Sequence, residues 1–218
     1  MDRKRTTVFL VDDHSVVRQA LAEMIAKEGR YEIVGQCGDG LKVAKEVKAA
    51  RPDVLVLDIT LPGLNGLDLC RDLTRKMKDL SVLILSMHAD EEFVARALEN
   101  GASGYMMKDG DCDQLVMALD AVARGELYLA PGISRSILHR LGKRGQDPYD
   151  TLTSRERQVL QLVAEGRTNR EAAEALGLAV KTVDTHRTRL MHKLDIHDQT
   201  ALVKYALKRG IVALDAGA

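Results

Sequence analysis

Four short apolar runs in the first half of the chain each end in a polar residue suited to phosphate chemistry. VFLVDD closes on Asp12 and Asp13, DVLVLD on Asp58, SVLILS on Ser86 and GYMMK on Lys108. Neighbouring strands of an open parallel sheet point the same way, so their carboxyl ends share one crevice, which is where ligands of such folds bind. The pattern predicts three carboxylates, a hydroxyl and an ammonium at one spot. Such a set can hold a divalent cation beside a phosphoryl group.

The runs belong to a longer alternation. Strand-like segments near 7–12, 31–36, 53–58, 81–86 and 104–107 are apolar throughout and rich in Val, Leu and Ile. That suits strands buried on both faces of a parallel sheet. Helical patterns lie between them. Val17, Leu21 and Ile25 share one face, as do Phe93, Ala97 and Leu98, and then Leu115, Leu119 and Val122. Asp111 with Gln114 makes a capping-box-like start for the last. Five βα units predict a doubly wound α/β domain with a five-stranded parallel sheet over residues 1–127.

Residues 128–149 read as a linker with a short helical pattern, Ile133, Ile137 and Leu141, between Pro131 and the polar GKRGQDP. From 150 to 218 the pattern is purely helical. Thr153 with Glu156 opens one helix as a capping box, and Thr168 with Glu171 opens another that ends at Leu176-Gly177. After a three-residue turn a third helix runs from about Val180 to Leu194, and a fourth, about 199–209, stops at Gly210. Two helices joined by a short Gly-containing turn are the helix-turn-helix signature.

Composition narrows the class. Hydrophobic content of 45% supports a real core in 218 residues. No apolar run approaches the ~20 residues that span a bilayer. The charged MDRKRTT leads directly into a strand, so no secretory signal is expected. A cytoplasmic protein without a membrane partner follows. Cys37, Cys70 and Cys112 lack a CxxC and read as reduced thiols, and the histidines lack metal-site spacing. The net charge of zero conceals a split: 17 basic against 22 acidic residues in 1–127, and 15 against 10 in 128–218. An acidic half joined to a basic half suggests two domains, the second facing a polyanion.

Packed carboxylates repel one another, so the acidic cluster needs a cation or a raised pKa. Mg²⁺ meets that need with oxygen ligands and commonly bridges to phosphate. One carboxylate can then act as nucleophile and form an acyl phosphate. Lys108 would neutralise phosphoryl charge and Ser86 would donate a hydrogen bond to it. In the third predicted helix, Val183, Leu190 and Leu194 form the apolar face, with Met191 beside it. The opposite face presents Lys181, Asp184, Thr185, Thr188 and His192. Asp184, Thr185 and Thr188 are candidates for base edges. Lys181, Arg187, Arg189 and Lys193 are candidates for phosphates, and Thr182 completes the set.

The stretches VDDHSVVR, LDITLPGLNGLDL, ILSMHADEEFVARALENGASGYMMKD and ARGELYLAP resemble the receiver domain of two-component response regulators. LTSRERQVLQLVAEGRTNREAAEALGLAVKTVDTHRTRLMHKLDI resembles the LuxR-type DNA-binding domain, and the whole chain resembles the NarL/FixJ class. The resemblance implies a flavodoxin-like receiver with Asp58 as phosphoacceptor, phosphorylated by a sensor histidine kinase. It implies Mg²⁺ held by Asp13, Asp58 and the backbone carbonyl of Thr60, with Asp12 assisting. It implies that Ser86 and Lys108 grip the phosphoryl group and that Tyr105 reorients as Ser86 shifts. Thr60 and His88 match positions that set how fast the phosphoryl group is lost. Such a protein is not an enzyme beyond self-phosphorylation from phosphodonors and slow autodephosphorylation.

For the second half the resemblance implies that the helix at 180–194 enters the major groove of double-stranded DNA. The last helix, through Ala201, Leu202, Tyr205 and Ala206, would support an active homodimer, packing within the domain being the other reading. Ala179 departs from the family, which usually has Ser or Thr at that N-cap, so this helix start is expected to fray without DNA. Asp184 is expected to point into the groove. An aspartyl-phosphate hydrolase would need a second Asp soon after the nucleophile, where Ile59 and Thr60 stand. A dehydrogenase would need G-x-G-x-x-G after the first strand. The alternative is a phosphorylation-independent DNA-binding regulator with a vestigial receiver.

Overall fold

The run Val8 to Val11 is almost wholly withdrawn from solvent, at 2% exposure or less. A strand apolar on both faces needs a covering layer on each. In the computed structural model, which describes residues 5–133, 137 and 147–212, those layers are helices. The strands are β1 (Thr6–Val11), β2 (Tyr31–Cys37), β3 (Val54–Asp58), β4 (Ser81–Ser86), β5 (Gly104–Met107) and β6 (Tyr128–Leu129). The intervening helices are α1 (Ser15–Lys27), α2 (Gly40–Ala50), α3 (Gly66–Lys76), α4 (Glu91–Glu99) and α5 (Cys112–Ala123). All strand pairs are parallel, in the order β2-β1-β3-β4-β5-β6.

The five expected strands lie within a residue or so of their expected bounds. The sheet carries a sixth, β6, which pairs with β5 through Gly104 with Tyr128 and Tyr105 with Leu129. Two residues give too short an apolar run to stand out from a linker, and this pair falls inside the stretch read as one. Its place on the edge depends on β5 being there to pair with. The expected short helix around Ile133, Ile137 and Leu141 lies outside the described residues.

Val8, Leu10, Val54, Val56, Leu83 and Leu85 form a core with Ile25, Leu115, Leu119 and Val122, which α1 and α5 supply. Phe9, Leu55, Leu57 and Ile84 are equally buried, and α2, α3 and α4 pack against strands β1, β3, β4 and β5. On α1 the expected face is only partly sunk. Ile25 is buried and Leu21 packs against the core, while Val17 stays exposed in the first turn. Asp39 caps α2 by accepting from Leu41 N, and Asp111 caps α5 by accepting from Gln114 N.

A second compact unit holds the C-terminal helices. After a 3₁₀ turn (Pro148–Thr151) come α6 (Ser154–Ala164), α7 (Asn169–Leu176), α8 (Val180–Leu194) and α9 (Gln199–Lys208). Both expected capping boxes form, Thr153 with Glu156 and Thr168 with Glu171. Gly177 leaves α7 in the left-handed region at φ 62°, where a residue without Cβ is unstrained. Ala179 gives α8 no side-chain cap, as expected. The Tyr149 ring lies 4.7 Å from the Arg157 guanidinium and 4.3 Å from that of Arg209. These contacts anchor the 3₁₀ turn to the helices.

The turn after β3 has one steric requirement. A Cβ at Gly66 would lie 1.9 Å from the Asp58 carbonyl oxygen, a backbone atom that cannot swing aside. Gly66 N also donates to Ile59 O at 2.8 Å, tying the start of α3 to the end of β3. Gly66→Ala is expected to cost about 1–3 kcal/mol through overpacking, seen as an earlier urea midpoint.

Candidate functional site

The strand order reverses at β1, whose neighbours β2 and β3 run to opposite sides. Crevices at such switch points, beyond the carboxyl ends of the strands, are where open α/β sheets bind ligands. Asp12 and Asp13 follow β1, Asp58 ends β3, Ser86 ends β4, and Lys108 follows β5. Lys108 Nζ stands 2.7 Å from Asp58 Oδ2 and 2.8 Å from Asp12 Oδ2. All three side chains are largely hidden from solvent. Sequence reasoning placed these groups at one spot, and the structure brings Asp12, Asp13, Asp58 and Lys108 into one cluster.

The electrostatics are those of a crowded acid. Burial pushes the Asp58 carboxyl from 3.8 up to about 6, partly opposed by the hydrogen bond from Lys108, with the nearby Asp12 adding to the rise. Burial works against the Lys108 ammonium, yet its contacts with Asp12 and Asp58 hold its pKa above the ordinary value. Thr60 N donates to Asp58 Oδ1 at 3.3 Å. Asp12 Oδ2 is closed off from solvent without an aligned hydrogen bond, although the ammonium is close by. A buried anionic oxygen in that position suits a divalent cation with oxygen ligands.

Ligand atoms of Asp12, Asp13, Asp58 and His14 lie within 4.8 Å of one another, so the acidic cluster can hold a metal ion. His14 was not among the residues picked from sequence. Its Nδ1 is 2.7 Å from Asp13 Oδ1, but a single exposed histidine next to a carboxylate pair carries no spacing signal of its own.

Ser86 and Tyr105 are joined through one residue. His88 N donates to Ser86 Oγ at 3.0 Å, and Tyr105 Oη donates to His88 O at 2.6 Å. Tyr105 is wholly buried, and the His88 ring stacks on Phe93 with centroids 4.4 Å apart. The spacing of Ser86, His88 and Tyr105 did not reveal this link, because it runs through backbone atoms of a loop.

In the helical unit α8 buries Val183, Leu190 and Leu194. Lys181, Thr182, Asp184, Thr185, Thr188, Arg189 and His192 are exposed. Thr185 and Thr188 donate their hydroxyls to the carbonyls of Lys181 and Asp184, which fixes both rotamers. Arg187 is half-buried and bonded to Asn169 and Gln199, and Asp184 accepts from Asn169. Lys193, expected on a phosphate, donates to Glu156 Oε2 at 2.6 Å and to Thr151 O at 3.0 Å. Glu156 is a capping-box acid, so this contact ties α8 to the start of α6. On α9, Leu202 and Ala206 are buried within the unit.

Known proteins share both halves. The model of the response regulator receiver domain matches residues 8–120, and that of the luxR family of bacterial regulatory proteins matches 150–206. The chain belongs to the two-component response regulators of the NarL/FixJ class. It is 40% identical to the DNA-binding transcriptional activator DevR/DosR of Mycobacterium tuberculosis, over 93% of this chain and 95% of that one. It is 33% identical to the transcriptional regulatory protein DegU of Brevibacillus brevis, over 97% of each. A structure of RcsB from Salmonella enterica serovar Typhimurium, bound to a promoter in the presence of the phosphomimetic BeF3-, superposes with a TM-score of 0.58. It shares 25% identity and covers 94% of this chain and 99% of that one.

This response regulator is therefore a transcription regulator with a receiver and a LuxR-type DNA-binding domain, and its family is not one of conventional enzymes. Among the described residues no helix is long and apolar enough to cross a membrane.

Two consequences are measurable. Because the folded-state pKa of Asp58 is raised, the folded chain holds that proton more tightly than the unfolded one, and stability falls as pH climbs from about 4 to about 6. Asp58→Asn is expected to stabilise the metal-free chain above pH 6 by roughly 2–3 kcal/mol, the gain fading below about pH 4. Burial tends to raise the pKa of Glu156, but Lys193 and the cap bonds outweigh it and bring it below the usual range. The contact thus stabilises the fold above the ordinary carboxylate pKa and is lost as pH falls through the lowered one. Lys193→Met should cost about 1.5–3 kcal/mol at neutral pH and progressively less in acid, by urea denaturation.

Proposed function

We propose that this response regulator is switched by transfer of a phosphoryl group from a sensor histidine kinase to Asp58. The observation that carries the reading is the Lys108 ammonium lying 2.7 Å from Asp58 Oδ2, at the shared carboxyl end of the sheet. An Asp58 oxygen attacks phosphorus, the bond from phosphorus to the donor nitrogen breaks, and an acyl phosphate forms on Asp58. Lys108 then moves its charge from the carboxylate to the phosphoryl oxygens, and Ser86 donates to one of them. Asp13, Asp58 and the Thr60 carbonyl would hold Mg²⁺, with Asp12 assisting. The ion would supply neutralising charge for the transferred group.

The link from site to surface runs through His88. Its N–H holds Ser86 Oγ and its carbonyl holds Tyr105, so recruiting Ser86 to the phosphoryl group loosens both bonds together. That gives the phosphorylated form a different set of contacts, without which a ligand shifts no equilibrium. Residues 1–127 act as the receiver, 128–149 as linker and 150–218 as the DNA-binding domain. The active form is a homodimer on double-stranded DNA, in the cytoplasm. Lys181, Arg187 and Arg189 hold phosphates, and Thr182, Asp184, Thr185, Thr188 and His192 face the bases. Lys193 serves the fold through Glu156. Phosphodonor hydrolysis is limited to slow loss of the group from Asp58.

Incubation with Mg²⁺ and a small-molecule phosphodonor, followed by intact-mass measurement, should give one phosphoryl adduct on the wild type and none on Asp58→Ala. DNA affinity that is the same for both proteins, with and without donor, would establish a phosphorylation-independent regulator instead.

A further inference from the structure

Asn169 stands between two α8 residues whose charges the DNA-binding reading requires. Its Nδ2 donates to Asp184 Oδ1 at 3.2 Å, and its Oδ1 accepts from Arg187 Nη1 at 3.1 Å. The other terminal nitrogen, Arg187 Nη2, donates to Gln199 Oε1 at 3.0 Å. Asn169 and Gln199 are the first residues of α7 and α9, each directly after a capping residue, Thr168 and Asp198, that accepts a backbone hydrogen bond. Two fixed helix starts thus grip one arginine of the third helix.

Asp184 and Arg187 are three apart on α8, a spacing at which a carboxylate and a guanidinium can pair directly. Direct pairing would spend the positive charge that a phosphate needs and the oxygens that a base amino group needs. A side-chain amide satisfies both neighbours without cancelling either charge, since it offers donors to the carboxylate and an acceptor to the guanidinium. Only one amide orientation does so.

We propose that Asn169 is a positioning residue for DNA sequence recognition, holding Asp184 apart from Arg187 so that one reads a base and the other a phosphate. The proposal rests on the DNA-binding reading of α8. Asp184 keeps its second oxygen for an amino group such as cytosine N4. Arg187 keeps its full charge, already oriented by two neutral acceptors, which lowers the ordering cost of binding. A purely structural Asn169 would affect every duplex alike.

The test uses the full chain and two duplexes: one enriched by the wild type from a randomised pool, and a scrambled duplex of equal length and composition. Asn169→Ala is expected to lower the affinity ratio between them about tenfold, the scale of losing one base contact. The slope of affinity against salt should flatten by no more than about one ion, as Arg187 is drawn into pairing with Asp184. In an Asp184→Ala background the same substitution should leave the ratio where it is, as a double-mutant cycle requires of residues acting through one another. Asn169→Asp serves as a second variant, because an acidic residue suits a helix start yet offers Asp184 no donor. It should lose the same discrimination while the thermal melt stays at the wild-type value. Arg187→Ala should flatten the salt slope by about one ion.

Equal weakening of both duplexes by Asn169→Ala, or an undiminished effect in the Asp184→Ala background, would overturn the proposal while leaving the DNA reading intact. Failure of the wild type to enrich any duplex, with a salt slope indifferent to Arg187→Ala, would overturn both.

Discussion

The ammonium of Lys108 is what makes three carboxylates tolerable at the edge of a buried sheet. Asp12 and Asp58 are nearly inaccessible to water, and each places an oxygen within 2.8 Å of the same nitrogen. Burial still dominates, because Asp58 ends with a pKa of about 6 despite that contact. The chain therefore keeps an acidic crevice under electrostatic strain, with a cluster of carboxylates that can hold a metal ion. The turn beside it is constrained sterically as well, since a side chain at Gly66 would run into the Asp58 carbonyl oxygen.

Charge is handled differently in the helical unit, where several charged groups are engaged by the fold itself. Glu156 caps α6 and accepts from Lys193, and the Tyr149 ring faces two guanidiniums. These contacts consume charges that a count of basic residues would assign to nucleic acid. The remaining basic groups on α8 gain meaning from their neighbours, as Arg187 does from Asn169 and Gln199. The surplus of five positive charges in this half is thus a poor measure of its DNA-facing surface.

Each unit also joins functional residues through a third residue. Ser86 and Tyr105 meet at the two polar atoms of the His88 peptide groups, and Asp184 and Arg187 meet at a residue placed by a helix cap. Movement at one partner is therefore felt by the other through the shared residue.

Much of this was legible before any coordinates. Runs apolar on both faces require a parallel sheet covered by helices, and a parallel sheet requires its carboxyl ends to converge. That convergence placed Asp12, Asp58 and Lys108 at one spot from their order alone. Thr153, Glu156, Thr168 and Glu171 marked two helix starts because capping is local chemistry, complete within four residues. Packing in three dimensions decided the rest. β6 exists because β5 offers it an edge, Val17 stays exposed because it sits at the first turn of α1, and Lys193 turns to Glu156 because α6 crosses α8 there. The difference is physical. Periodicity and capping depend on residues a few positions apart, whereas the partner of a long charged side chain is chosen by whichever distant segment the fold brings within reach.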